Sequence, residues 1–469
     1  MPRASTREPL DVGDEELSIS KTLVKRFNPT KNSLLERRTF LREQAEGRMW
    51  CGSLARLFSG TRHALKRSAT RPGPRYCHLR GVVPAAARWH SSAPDSIPYS
   101  WTVHDDHFEF KYADTCMRFD FFWLRDHCRS TTCYNTKTHQ RMLDTCSVDL
   151  DIKPTNVRTD EDSIYFTWPD GHRTKYGLEW LYKNSYEAQK GQVIQPRVLW
   201  NVESYNQAKV PPVPMKDFME TEEGLRTFLK NFLLYGIAFV EDVPATMEAT
   251  AEVAKRVSFI RQTIFGEMWT FTSDFSRGDT AYTKIALDRH TDTTYFQEPC
   301  GMQVFHCLAH SGTGGRTLLV DGFYAAEQLR QHHPEDFQLL STVPLKHEYI
   351  EHTHVCDNHM IGVGPVLSAY SWNNELYMIR YNNYDRAVIT TVPHDVVHRW
   401  YVAHRTLTTE MRKPENELWV KLKPGLALFV DNWRVLHGRE SFNGYRQLCG
   451  CYLTRDDVLN AARLLGLQA

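Results

Sequence analysis

The sequence predicts a mainly β protein with flanking helices: a small N-terminal α+β domain, then a jelly roll. Three observations predict this. From residue 98 polar and apolar residues alternate in short runs, the period of half-buried strands. Two amphipathic segments between residues 225 and 265 carry a helical period instead. Beyond them, short apolar runs are cut repeatedly by Gly, Pro and Asn, the texture of a β-sandwich or jelly roll. A chain of 469 residues with 41% hydrophobic and 12% aromatic content can bury more than one core. No apolar run approaches the roughly 18 residues of a membrane-spanning helix, so no such helix is expected.

Residues 1–97 read as an extension. Residues 49–94 hold eight Lys or Arg and no Asp or Glu. Leu54, Leu57, Phe58 and Leu65 recur there at roughly helical spacing, so the segment resembles a mitochondrial transit peptide. It is internal, behind 48 mixed-charge residues, so translation in the cell is expected to start at Met49. Residues 1–48 contribute a net +2 and residues 49–94 a net +8 to a total of +1, which leaves residues 95–469 at about −9. An acidic body argues against nucleic acid as the main partner. The eleven cysteines are sparse and form no Cys-x-x-Cys pair. That usage fits thiols or metal ligands rather than a disulfide framework.

Residues 98–204 form the expected small domain. "YSWTVHDDHFEFKYADTCMRFDFFWLRDHC" reads as short antiparallel strands. "SIYFTWPDGHRTKYGLEWL" reads as a strand, a Pro-Asp-Gly turn, and a strand running into a helix. Between them, Cys128 and Cys133 share a polar loop, and His172 lies in the following turn. Thiolates and an imidazole on tight loops suit a structural zinc ion. A closed site needs four ligands; Cys146, His127 and His139 are all open as the fourth.

"YNQAKVPPVPMKDFM", near residues 205–216, reads as a Pro-rich linker, and residues 213–469 as the jelly-roll domain. "LRTFLKNFLLYGIAFVEDVP" is a helix followed by a strand, and "ATAEVAKRVSFIRQTIF" a second helix. "ALDRHTDTTYF" contains His290-Thr291-Asp292, whose alternation would send His290 and Asp292 to one side of a strand. The motif is weak alone, since His104-Asp105-Asp106 repeats it. In "KPGLALFVDNWRVLHGRESF", however, a buried strand from Leu426 to Val430 precedes His437 in another strand. Two histidines and one carboxylate on one face leave the opposite positions open, and such sites hold Fe(II) for oxygen chemistry. Arg446 follows nine residues after His437, and an arginine forks onto the far carboxylate of a dicarboxylate cosubstrate. Thr317, in "GTGGRTLLVDGF", offers a hydroxyl to the same carboxylate, and Gly314-Gly315 permits a tight turn before it. The Walker lysine is missing, so this is no phosphate loop.

"HTDTTYFQEPCGMQVFHC", "GGRTLLVDGF" and "DNWRVLHGR" resemble the Fe(II)- and 2-oxoglutarate-dependent dioxygenases of the taurine/butyrobetaine type, over nearly all of residues 98–469. "WLRDHCRSTTCYN" resembles the small N-terminal domain of that family's carnitine-biosynthesis branch. The resemblance implies a double-stranded β-helix catalytic domain, iron on His290, Asp292 and His437, and 2-oxoglutarate on Arg446 and Thr317. It also implies ascorbate as reductant, a mitochondrial matrix location and a homodimer. It implies zinc on the cysteine loop, although Ser130 stands where butyrobetaine-type members have a third cysteine.

The likeness is greatest to the members that hydroxylate trimethyllysine at C3. A quaternary ammonium has no donor hydrogen and is recognised by ring faces. The family's cage positions hold Phe265 (a tyrosine in relatives), Trp269, Tyr282 and Tyr452 here. Asp279 stands at an asparagine position of the butyrobetaine type. It would attract an α-ammonium and repel a lone carboxylate, and the Asn382 amide would hold the α-carboxylate. Butyrobetaine hydroxylation and a non-catalytic quaternary-ammonium-binding jelly roll are the rival readings. The second would not need Arg446 and Thr317 beside the triad.

Overall fold

Burial with a period of two organises the chain in the computed structural model, which describes residues 99–186, 193–272, 283–352 and 356–469. The transit-like segment lies outside the described residues. In the small domain, β1 (Tyr99–Val103), β2 (His107–Tyr112) and β3 (Thr115–Asp120) form an antiparallel sheet. A second antiparallel sheet is built from β4 (Asn156–Thr159), β5 (Ser163–Thr167) and β6 (Arg173–Gly177). Phe108, Phe110, Met117 and Phe119 of the first pack with Ile164, Phe166 and Tyr176 of the second. Phe108 meets Phe166 edge-on at 5.0 Å, and each such buried side chain stabilises by roughly 1.5–3 kcal/mol.

The strand expected through "FFWLRD" is instead helix α1 (Phe121–Asp126). Asp120 caps it by accepting the Trp123 N–H at 3.2 Å. Phe121 and Leu124, three apart, share its buried face. The strand running into a helix is present, β6 leading into α2 (Leu178–Asn184).

Residues 205–216 do not form an irregular linker. They hold the end of α3 (Val202–Ala208), the short β7 (Val213–Pro214) and the start of α4 (Met215–Glu220). Tyr205 packs on Trp200 with ring centroids 5.1 Å apart. Next come α5 (Glu222–Tyr235), β8 (Ile237–Glu241) and α6 (Met247–Val257). The second helix is shorter than its pattern. Beyond Val257 the chain turns to run beside the main sheet, where the Arg261 N–H donates to the Tyr452 carbonyl at 2.7 Å.

The strands β9 (Met268–Phe271), β10 (Leu287–His290), β11 (Met302–Gly314) and β12 (Thr317–Asp321) follow. Then come α7 (Gly322–His332), α8 (Pro334–Thr342), β13 (Leu345–His352), β14 (Asp357–Gly364), β15 (Leu367–Ala369), β16 (Leu376–Ile379) and α9 (His394–Met411). The chain closes with β17 (Leu418–Val420), β18 (Leu426–Asp431), β19 (Val435–Arg439), β20 (Phe442–Leu453) and α10 (Arg455–Leu464). Helices α7 to α10 add to a region whose pattern reads mostly as short strands. Asp321 starts α7 by accepting the Phe323 N–H at 3.1 Å, and Phe323, Ala326 and Leu329 then recur on its buried face at helical spacing.

Two sheets result, one ordered β9-β20-β11-β18-β8-β7 and the other β10-β19-β12-β17. Alternation sorts their residues. Met302, Val304, Cys451 and Leu453 face α4, α5, α6 and α10, while Leu318, Val320 and Leu436 face α7, α8 and α9. The opposite set, including Phe305, Leu319, Leu428, Val435, Leu448 and Tyr452, fills the space between the sheets. A buried ion pair pins this arrangement. Arg434 reaches Asp321 at 2.7 and 3.1 Å and also donates to the Leu234 and Val198 carbonyls. Among the described residues, no helix is long and apolar enough to cross a membrane.

Candidate active site

The inner faces of β10, β11, β12, β19 and β20 converge on one cavity. His437 points inward because it alternates with Leu436, which faces the helices. His290 ends β10 directly opposite it in register. Asp292 lies just beyond that strand and, like His290, lines the cavity, while Thr291 between them instead bonds Tyr381, as the alternation predicts. His290 Nε2 is 3.2 Å and His437 Nε2 3.5 Å from the same oxygen, Asp292 Oδ1.

The tautomer of His290 follows from its neighbour. Nδ1–H donates to the Asp288 carbonyl at 2.7 Å, which leaves the Nε2 lone pair facing Asp292 and His437. Burial alone would push the Asp292 carboxyl up, but His437 and His290 outweigh it and hold the group well below the usual carboxylate range. Two imidazoles and one ionised carboxylate, with ligand atoms all within 4.8 Å of one another, suit a divalent transition metal with open positions. The second His-x-Asp motif has no buried counterpart: His104 groups with His107 and Glu109, none of them buried, and Asp106 takes no part. His104 is exposed on the β1–β2 turn, and the Asp106 side chain is 85% exposed.

Thr317 and Arg446 line the same cavity. Arg446 is 4% exposed. Burial pushes its guanidinium down to about 10, and among the described residues no carboxylate pairs with it. A desolvated cation facing a cavity favours an anionic ligand. Gly315, with φ +69°, gives the cation room, because a Cβ there would stand 3.2 Å from Arg446 Cδ.

Phe265, Trp269 and Tyr452 form part of the aromatic wall. Trp269 and Tyr452 have centroids 5.9 Å apart. Asp279 and Tyr282 lie outside the described residues. Asn382 reaches the wall with its amide already engaged: Nδ2 donates to Asp385 Oδ2 at 2.6 Å and Oδ1 accepts the Tyr384 N–H at 2.9 Å. Sequence reasoning missed Gln303, Phe271, Tyr295, Tyr384 and Asp385, which line the cavity too. Gln303 had a signal, a lone amide between the apolar Met302 and Val304 at the start of a strand.

In the small domain the structure gathers Cys128, Cys133 and His172. The His172 ring nitrogen Nε2 lies 3.2 Å from Cys128 Sγ and 3.7 Å from Cys133 Sγ. Ser130 Oγ is beside them, 3.3 Å from Cys128 Sγ and 3.5 Å from His172. The three open candidates do not join this cluster. Cys146 is exposed, His139 sits in a turn with φ +55°, and His127 Nδ1 bonds the Trp123 carbonyl.

A jelly roll with two histidines and one carboxylate beside a buried arginine defines the class of metal- and 2-oxoacid-dependent dioxygenases. The family model described as taurine catabolism dioxygenase TauD, TfdA family, matches residues 203–452, and the chain belongs to that family. A second model, the N-terminal domain of gamma-butyrobetaine hydroxylase-like proteins, matches residues 100–182. The protein is an enzyme of the Fe(II)- and 2-oxoglutarate-dependent type. A Gallus gallus relative described as trimethyllysine dioxygenase, mitochondrial, is 70% identical over 90% of this chain and 100% of its own length. A Homo sapiens relative of the same description is 69% identical over the same shares. Gamma-butyrobetaine dioxygenase of Homo sapiens is 27% identical over 73% of this chain and 90% of its own length.

Proposed function

We propose that this enzyme hydroxylates N6,N6,N6-trimethyl-L-lysine at C3, the first step of carnitine biosynthesis. The hydroxylation is coupled to oxidative decarboxylation of 2-oxoglutarate to succinate and CO2. The observation that carries the reading is the single cavity with an unpaired buried arginine, a ligand triad and an aromatic wall. The vertebrate relatives at about 70% identity support the choice of substrate over butyrobetaine.

His290, Asp292 and His437 would hold the iron. When bound, the iron supplies oxygen activation and the removal of hydrogen from an unactivated carbon. Arg446 and Thr317 grip the C5 carboxylate of 2-oxoglutarate and so set its direction in the cavity. Phe265, Trp269, Tyr282 and Tyr452 present ring faces to the trimethylammonium head. Asp279 attracts the α-ammonium, and Asn382 sits where the α-carboxylate would lie. The apolar wall keeps water from the reacting carbon. Ascorbate keeps the iron ferrous. Cys128, Cys133 and His172 hold zinc in the small domain with Ser130 as the nearest fourth group, one cysteine or histidine short of a closed site. The enzyme works as a homodimer in the mitochondrial matrix.

The test is a competition assay with Fe(II), 2-oxoglutarate and ascorbate, measuring succinate and each hydroxylated product. Trimethyllysine should be consumed at least tenfold faster than butyrobetaine, and Asp279→Asn should narrow that ratio without loss of iron. Equal or reversed preference contradicts the reading.

A further inference from the structure

One inward-facing pair, the Gln303 amide and the Tyr452 hydroxyl, presents polar groups that binding of the substrate and cosubstrate does not use. Gln303 on β11 and Tyr452 on β20 are direct cross-strand partners, and both side chains enter the space between the sheets. Gln303 is 2% and Tyr452 6% exposed. Gln303 Nε2 donates to Asp292 Oδ2 at 2.6 Å, and the Tyr452 hydroxyl donates to the same oxygen at 2.8 Å. The other oxygen, Oδ1, is the one facing His290 and His437. The Asp292 backbone is held as well. Asn432 Oδ1 accepts its N–H at 2.7 Å, and Asn432 Nδ2 donates to its carbonyl at 3.0 Å. A buried amide facing a carboxylate must present its NH2 group, so the Gln303 orientation is set by chemistry. Its Oε1 has no partner among the described residues, a cost the fold accepts to deliver the donor.

We infer that Gln303 and Tyr452 are positioning residues that hold Asp292 Oδ2 away from the metal, so that Asp292 ligates through Oδ1 alone. The inference rests on the reading of Asp292 as an iron ligand. Two charge-assisted hydrogen bonds on one carboxylate oxygen fix the rotation of the group and occupy the lone pairs that a two-oxygen grip would need. A one-oxygen ligand leaves free the positions that a chelating cosubstrate and oxygen require. The inference also changes the role of Tyr452, whose hydroxyl serves the ligand while its ring faces the cavity.

Anaerobic titration of the full chain with Mn(II), without substrate, separates the possibilities. Tyr452→Phe keeps the ring and removes the donor, and Gln303→Met removes the amide at similar volume. Each should weaken Mn(II) binding by about 10- to 100-fold. Each should also raise succinate formed per hydroxylated product, a readout that a merely structural role would not move. His437→Ala is the control. If it abolishes Mn(II) binding while both variants bind as wild type, the positioning role is overturned. If wild type and His437→Ala bind alike, the ligand assignment itself fails, and the inference with it.

Discussion

Of the three-residue clusters of ligand type among the described residues, two have two buried members each, and these two are built differently. Cys128, Cys133 and His172 and the set His290, Asp292 and His437 each gather their ligand atoms within 4.8 Å. In the second cluster, His290 and Asp292 are oriented from outside. Asp288 fixes the His290 tautomer, Gln303 and Tyr452 hold the far oxygen of Asp292, and Asn432 holds its backbone. In the first, the polar groups answer mainly to one another and to Ser130, and the Cys133 sulfur to Arg125 at 3.6 Å. Convergence is therefore within reach of two loops, whereas orientation needs second partners supplied by a rigid sheet.

The comparison can be broken at either end. The largest effect is expected at the cosubstrate cation. Arg446→Leu should raise the 2-oxoglutarate KM on the order of 100-fold or more, because it removes a desolvated charge from its ligand. Arg446→Lys should recover only part of this, since a point charge does not fork. Steady-state succinate formation measures both, and unchanged KM values would place the cosubstrate elsewhere. A smaller effect is expected in the thiol cluster. Cys128→Ser should destabilise the protein by about 1–3 kcal/mol, through a buried sulfur replaced by a hydroxyl. Turnover should fall only in proportion to the folded fraction. Urea unfolding and zinc analysis check this, and a loss of turnover beyond unfolding would mean that the two clusters communicate.

Much of the fold was legible where one face of an element is buried. The helix before Gly236 and the strand Leu426–Asp431 were plain in the pattern. The triad was legible because its partners recur in order, although about 150 residues separate His290 from His437. What escaped notice has identifiable causes. α1 is six residues long, too short to display a period. Helices α7 to α9 lie in an excursion between β12 and β17, amid short runs that suggested mostly strands. Asp385 was invisible because its meaning depends on what faces it across the cavity.

The most direct measurement is a single turnover with His290→Ala beside the unaltered protein. Each is loaded anaerobically with Fe(II), 2-oxoglutarate and trimethyllysine, then mixed with oxygen while succinate and hydroxylated product are counted. The account predicts close to one succinate and one hydroxytrimethyllysine per chain for the unaltered protein, and neither above background for His290→Ala. Full succinate formation by folded His290→Ala would contradict it.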